Sequence, residues 1–251
     1  MWQDVIDLHG FYQTRTGQVA RHLVRRAVRQ MWPDVHGQAI LGLGFASPYL
    51  RQFRQDAERV IAFMPAPQGV MHWPAEGPFV TSLVDETELP LQDYSVDRVL
   101  IVHGIENSDY LKYMLGEVWR VLTGQGRLLV VVPNRRGIWA RLERTPLGHG
   151  HPYSPNQLKR LLRDNLFVPQ RHEHALFIPP TRSATLLRSA TAWERAGQRW
   201  FPQFSGVNLI EASKQLYAPT PLRAAERSRR GVLSGFPQVA PMPAPSRRIS
   251  T

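Results

Sequence analysis

His103 closes an apolar run, Val99-Leu100-Ile101-Val102, and is followed by Gly104. An imidazole at the end of a buried strand stands where ligands bind in open α/β sheets. A neutral ring nitrogen can accept a proton, so it is a candidate general base. Upstream, Ile40 to Pro48 reads ILGLGFASP. Glycines in such a turn let the backbone approach a ligand and tolerate positive φ. Gly42 and Gly44 qualify. If Ser47 caps the following helix, Pro48 occupies its first position, where a missing N–H costs nothing. Two histidine pairs could bind metal, His149 and His151 around Gly150, and His172 and His174 around Glu173. Neither has a further ligand at a suitable spacing, so no metal site is expected.

These residues need a scaffold, and the chain between Leu89 and Asn134 supplies its centre. Val99–Val102 and Leu128–Val132 are short, rich in β-branched residues and without a polar break. Strands buried on both faces of a parallel sheet read this way. Between them Tyr110 to Leu122 places Leu111, Met114, Leu115, Val118, Val121 and Leu122 on one helical face, and Gly124 and Gly126 are expected to stop that helix. The result is a βαβ unit. Further strands are expected at 39–44, 59–63, 79–84, through 172–178 and at 207–216. Helices are expected at 12–32, after Ser154, and as an insertion over about 183–201. In that insertion Leu186, Leu187, Ala190, Trp193 and Ala196 would share the inner side.

Composition bounds the rest. With 251 residues and 43% hydrophobic content, the chain can bury a large core. It has no cysteine, which excludes disulfides and thiolate chemistry and fits a reducing, cytoplasmic setting. The first residues, MWQDVIDLHGFYQ, lack the apolar centre of a signal peptide, and no run is long enough to span a bilayer. The net charge of +11 raises nucleic acid as a partner. The Pro219–Thr251 stretch weakens that reading, because it alone carries six arginines against Glu226. That stretch is rich in Pro, Ser, Ala and Arg, shows no periodicity and reads as a disordered basic tail. The folded domain is therefore placed at 1–218.

Two segments carry a resemblance. LPLQDYSVDRVLIVHGIEN and EVWRVLTGQGRLLVVVPN, in this order and at this separation, resemble class I S-adenosylmethionine-dependent methyltransferases of the methyltransferase-11 type. The resemblance implies an α/β fold, a seven-stranded and mostly parallel Rossmann-like sheet with helices on both faces. In that family the last two strands are antiparallel. It also implies S-adenosylmethionine as cofactor, bound over the ends of the first three strands. Gly42, Gly44, Phe45, Ala46 and Ser47 would line the first turn. Asp85 would accept from the adenine amino group, with Glu86 beside it. Glu106 would stand at the substrate mouth as the catalytic partner of His103, and His103 would also touch the cofactor. Tyr12, on an N-terminal helix, would lie near the ligand.

The sequence departs from the family pattern at three places. Gly42 replaces the usual acid, Ala46 a glycine, and Met64 the carboxylate that bridges the ribose hydroxyls. Met64 would offer only apolar contact there, and Gln68 is the nearest neutral substitute. Two functional classes stay open on these residues. One is an enzyme that methylates an acceptor, with a small molecule favoured over nucleic acid. The other is a binding or regulatory protein on the same scaffold. A nicotinamide oxidoreductase ranks last, since the chain lacks GxGxxG and an acid after the second strand. Oligomeric state is not readable.

Overall fold

Side chains alternate across a strand, so a run without polar residues requires apolar cover on both faces. The computed structural model, which describes residues 2–216, meets that requirement. Seven strands, β1 (Ala39–Gly44), β2 (Arg59–Pro65), β3 (Thr81–Val84), β4 (Val96–Val102), β5 (Leu122–Pro133), β6 (Phe167–Ala175) and β7 (Val207–Lys214), form one sheet. The order is β3-β2-β1-β4-β5-β7-β6. Pairs from β3 to β5 are parallel, and β7 is antiparallel to both its neighbours. Ile40, Leu100, Val102, Leu129 and Val131 face one core layer, under α1 (Val5–Gln13), α2 (Arg15–Met31) and α3 (Ser47–Leu50). Leu41, Leu43, Val99, Ile101, Leu128 and Val130 face the other, under α4 (Leu111–Val121) and α5 (Pro155–Asp164).

The expected fold is therefore present, with corrections at its joints. The helix expected over 12–32 is α2, which begins at Arg15, and a separate helix, α1, precedes it. Thr14 ends α1 and begins α2, its Oγ1 donating to Phe11 O at 2.7 Å and accepting from Gly17 N at 3.0 Å. Gly17 is obligatory, because a Cβ there would lie 2.0 Å from Phe11 O. Gly124 and Gly126 do not end α4 by a glycine cap; they lie inside β5, which already begins at Leu122. β2 runs on to Pro65, β6 spans 167–175, and β7 stops at Lys214. The insertion is broken at Ser189 into α6 (Ala184–Arg188) and α7 (Ala190–Trp200). Its inner side is Ala190, Glu194 and Gly197, so Leu186, Trp193 and Ala196 turn outward instead. Gly197 sets this packing, since any Cβ would collide with the Phe177 ring. Near β1, Ala46 rather than Ser47 is the helix cap, and Pro48 is the second helical residue, still within the turn whose N–H groups lack partners. The tail expected from 219 lies outside the described residues.

Arg120 shows what one resembling segment does physically. Its guanidinium donates to both oxygens of Glu117, to Asp93, and to the carbonyls of Leu89 and Leu91. Glu117 also accepts from Leu89 N. The residues LPLQD are thus knotted to α4. Bonds to Arg120 hold the Glu117 carboxyl below the ordinary carboxylate range. A depressed carboxylate pKa stabilises at neutral pH, and that contribution is lost as pH falls through the folded-state value. Arg120→Leu should destabilise by about 2 kcal/mol at pH 7. Urea unfolding should show the difference from wild type shrinking below about pH 4.

Candidate active site

β1, β2, β4 and β5 end on one edge, and the candidate residues gather there. Gly44 ends β1 with φ +79°, and a Cβ on it would lie 2.4 Å from Val102 O. The tight turn brings Phe45 N onto that same carbonyl at 2.8 Å. Gly42 has a different reason. A Cβ there would strike Leu50 Cδ1 at 2.5 Å and Ala46 Cβ at 2.8 Å, so this glycine lets α3 pack on the strand.

His103 follows β4 in the left-handed region, φ +53°. Such strain in a residue other than glycine persists where the surroundings enforce it, often at functional sites. Its ring is buried between two partners. Nε2 lies 2.8 Å from the Tyr12 hydroxyl. Nδ1 lies 3.3 Å from Glu106 Oε1, an ion-pair distance without hydrogen-bond alignment. Tyr12 in turn accepts from the Tyr49 hydroxyl at 2.8 Å. One proton arrangement satisfies the network: Tyr49 donates to Tyr12, Tyr12 to Nε2, and Nδ1–H points toward Glu106. Burial, with the neighbouring phenol and Glu106 adding to it, raises Tyr12 well above the ordinary tyrosine pKa; burial raises Tyr49 as well. Both phenols are neutral donors at physiological pH. Tyr49 carried no signal in the sequence; the four groups are separated by up to 94 positions and meet only through the fold.

The expected cofactor residues are brought to the same edge, but not all face outward. Phe45, Ala46, Ser47 and Met64 are buried. Met64 belongs to the core layer that also holds Val5, Leu8 and Tyr12 of α1, and its strand pairs it with Leu83. The cover is α1 and the residues before it. Tyr12 stacks on Phe45 with ring centres 5.7 Å apart. Val5 lies against Gly69, and the Trp2 ring lies near Gly104. Asp85 is exposed, and its Oδ1 accepts from Thr87 N and Oγ1, which lowers its pKa. Glu86 is the buried acid: burial raises its pKa against the bond from Ser108 Oγ.

Several buried polar atoms around this edge lack aligned partners: Gln68 Oε1 and Nε2 and both oxygens of Glu106; the Trp2 indole instead faces Glu86. Buried polar groups are nearly always paired, so a cluster of orphans marks a place built for something polar. Gln68 was the neutral substitute read near Met64, and its amide offers one acceptor and two donors. A cavity bounded by Tyr12, Tyr49, His103, Leu147 and Leu176 adjoins the relay, with space of about 10 Å³, that of one water.

The histidine pairs part company. His151 N donates to Glu106 O at 2.8 Å, so the 149–151 loop abuts the site. His172 and His174 meet edge to face on β6 with ring centres 4.2 Å apart, where burial is the first cause holding both below the ordinary histidine range, His172 down to about 4. Among the described residues no group of three or more His, Asp or Glu could hold a metal ion. No described helix is long and apolar enough to cross a membrane.

Residues 41–130 match the family model described as Methyltransferase domain. No curated protein matches the sequence. Among solved structures, the fold is similar to a SAM-dependent methyltransferase from Thermotoga maritima, with TM-score 0.58, 16% identity, and coverage of 84% of this chain and 96% of that one. A SAM-dependent methyltransferase from Archaeoglobus fulgidus gives TM-score 0.54 at 20% identity, covering 77% and 94%. The Burkholderia thailandensis 1,6-didemethyltoxoflavin-N1-methyltransferase, solved with that substrate and S-adenosylhomocysteine, gives TM-score 0.54 at 15% identity, covering 84% and 85%.

Proposed function

We propose that this chain is a class I, S-adenosylmethionine-dependent methyltransferase that transfers a methyl group to a small-molecule acceptor, with His103 as general base; the family match over residues 41–130 and the shared fold support the reading. The observation that carries the reading is the cluster of buried polar orphans at the edge where β1, β2 and β4 end. The residues present fit the cofactor. The Gly44–Ser47 turn would bear its amino-acid portion, Gln68 would serve the ribose hydroxyls, and Asp85 or Glu86 the adenine amino group. When bound, S-adenosylmethionine supplies an electrophilic methyl on a sulfonium.

The chain's own residues do the rest. Glu106 holds the Nδ1–H tautomer of His103, which leaves the Nε2 lone pair as the proton acceptor. In the closed arrangement Tyr12 occupies that lone pair. With α1 seated, Tyr12, Phe45 and Met64 fill the edge, and the cavity beside the relay has room for no more than about one water. Admission of ligands therefore requires α1 to lift about the Thr14 cap, which frees Nε2 for the acceptor. After product leaves, reseating α1 returns Tyr12 to Nε2 and closes the edge to water. The positive charge of a sulfonium also suits an edge whose buried Glu106 has no aligned donor.

A melting experiment tests the reading. S-adenosylmethionine at about a hundred times its Kd should add roughly 2.7 kcal/mol of stability, which raises the Tm by several degrees. Gln68→Leu should reduce that rise. An unchanged Tm at millimolar ligand would count against the proposal.

A further inference from the structure

The β6–β7 insertion, residues 176–206, presents a surface that the methyl-transfer site does not use. Within it Trp193 is 42% exposed, Trp200 67% and Phe201 59%, and Phe204 is exposed as well. Trp193 and Trp200 are seven positions apart on α7, two helical turns, so they share one flank. Phe201 and Phe204 continue from its end. Ile138 adjoins them and is also exposed. Its segment is tied to the insertion, because Asn134 donates to Gln203 O and Ser205 Oγ, and Gly137 packs on Ser205 O. The inner flank of α7, Ala190, Glu194 and Gly197, is already satisfied against the domain. Five large apolar side chains therefore face solvent with no fold-related reason.

The charge around them is one-signed. The insertion contains Arg182, Arg188, Arg195 and Arg199, and the adjoining segment contains Arg135, Arg136 and Arg141. All seven are exposed, with Arg188 and Arg195 on the flank toward α2 and the others left to meet a surface at the aromatic patch. The single acid in either segment is Glu194, which is buried and accepts from Leu176 N and Phe177 N, so it does not offset them at the surface. Arg199 lies 5.8 Å over the Trp200 ring. Aromatic side chains projecting between guanidinium groups match a bilayer interface, where rings settle at headgroup depth and arginines meet lipid phosphates. A nucleic acid would use the arginines, but it would not require an aliphatic Ile138 in the patch.

We infer that this face, Ile138 with Trp193, Trp200, Phe201 and Phe204 beside Arg199 and the arginines of 135–141, docks on an anionic membrane surface. Val207 of β7 pairs with Pro133 of β5 and with Ala175 of β6, so the insertion sits on the same edge as the relay. Docking is peripheral and involves no spanning element. It does not depend on the methyl-transfer reading, and it is measured without cofactor.

Flotation of the full chain with vesicles tests it, using phosphatidylcholine alone and phosphatidylcholine mixed with phosphatidylglycerol. Binding is expected only to the mixed vesicles. The Trp200→Ser/Phe201→Ser and Arg136→Glu/Arg199→Glu variants should each bind at least about tenfold more weakly. These positions are exposed, so circular dichroism and Tm should match wild type. Brominated lipid should quench tryptophan emission in wild type and less in the Trp200→Ser/Phe201→Ser chain. No flotation would overturn the inference. So would flotation that the aromatic variant leaves intact, which would mean charge attraction alone, as would be shared with nucleic acid. A dimer in light scattering that the aromatic variant dissolves would assign the face to a second copy instead.

Discussion

His103→Ala should lower methyl transfer by roughly 10²–10⁴-fold, the usual range for loss of a general base. Acceptor identity is not needed for the measurement, since labelled methyl incorporation into a small-molecule extract reports it. Binding of S-adenosylmethionine should change much less than turnover, because the ring serves the acceptor's proton. Glu106→Gln supplies the diagnostic companion. It removes a buried carboxylate whose oxygens lack aligned donors. Stability should therefore rise by about 1–2 kcal/mol while turnover falls, the trade expected of a residue kept for function. A loss of stability with unchanged turnover would make the pair a structural one and remove His103 from the mechanism.

Met64→Glu should destabilise the chain by about 3–5 kcal/mol, since it places a charge without a partner in the core. From the sequence, a carboxylate here restores the family's ribose contact and would strengthen binding. Its burial in the structure favours the opposite outcome. Met64 is fully buried among the side chains beneath α1, and its strand continues one residue beyond it. Urea unfolding of the two chains, with and without S-adenosylmethionine, separates the outcomes. A Met64→Glu chain as stable as wild type, and binding more tightly, would place this side chain at an open ribose site after all.

The sheet was legible because its physics is local. Runs such as Leu128–Val132 have no polar break, and two-sided burial follows from that alone. The antiparallel end of the sheet was legible only through resemblance. What stayed hidden was long-range or depended on close approach. The Tyr49–Tyr12–His103–Glu106 relay joins residues that share no spacing. Only His103, at a strand end, announced itself by position. Helix α1 was missed because its apolar residues form no clean stripe: Val5, Leu8 and Tyr12 are buried while Ile6 is exposed. The stripe expected over 186–196 failed for a related reason. Periodicity identified a helix but not its inner face, and Gly197 against Phe177 decides that. Gly124 and Gly126 were read as helix stops, whereas a strand accommodates them at its entrance because the parallel partner, Val96, pairs already with Leu122.

Titration calorimetry with S-adenosylmethionine bears most directly on the central claim. With a neutral Gln68 in place of a ribose carboxylate, the wild-type chain should bind with Kd in the range of tens of micromolar, roughly one or two factors of ten weaker than a charge-assisted contact would give. Asp85→Asn should weaken it further by turning an acceptor into a donor. No heat from the wild-type chain at millimolar ligand, where such an affinity would be plain, would contradict the assignment of a working cofactor site to this edge.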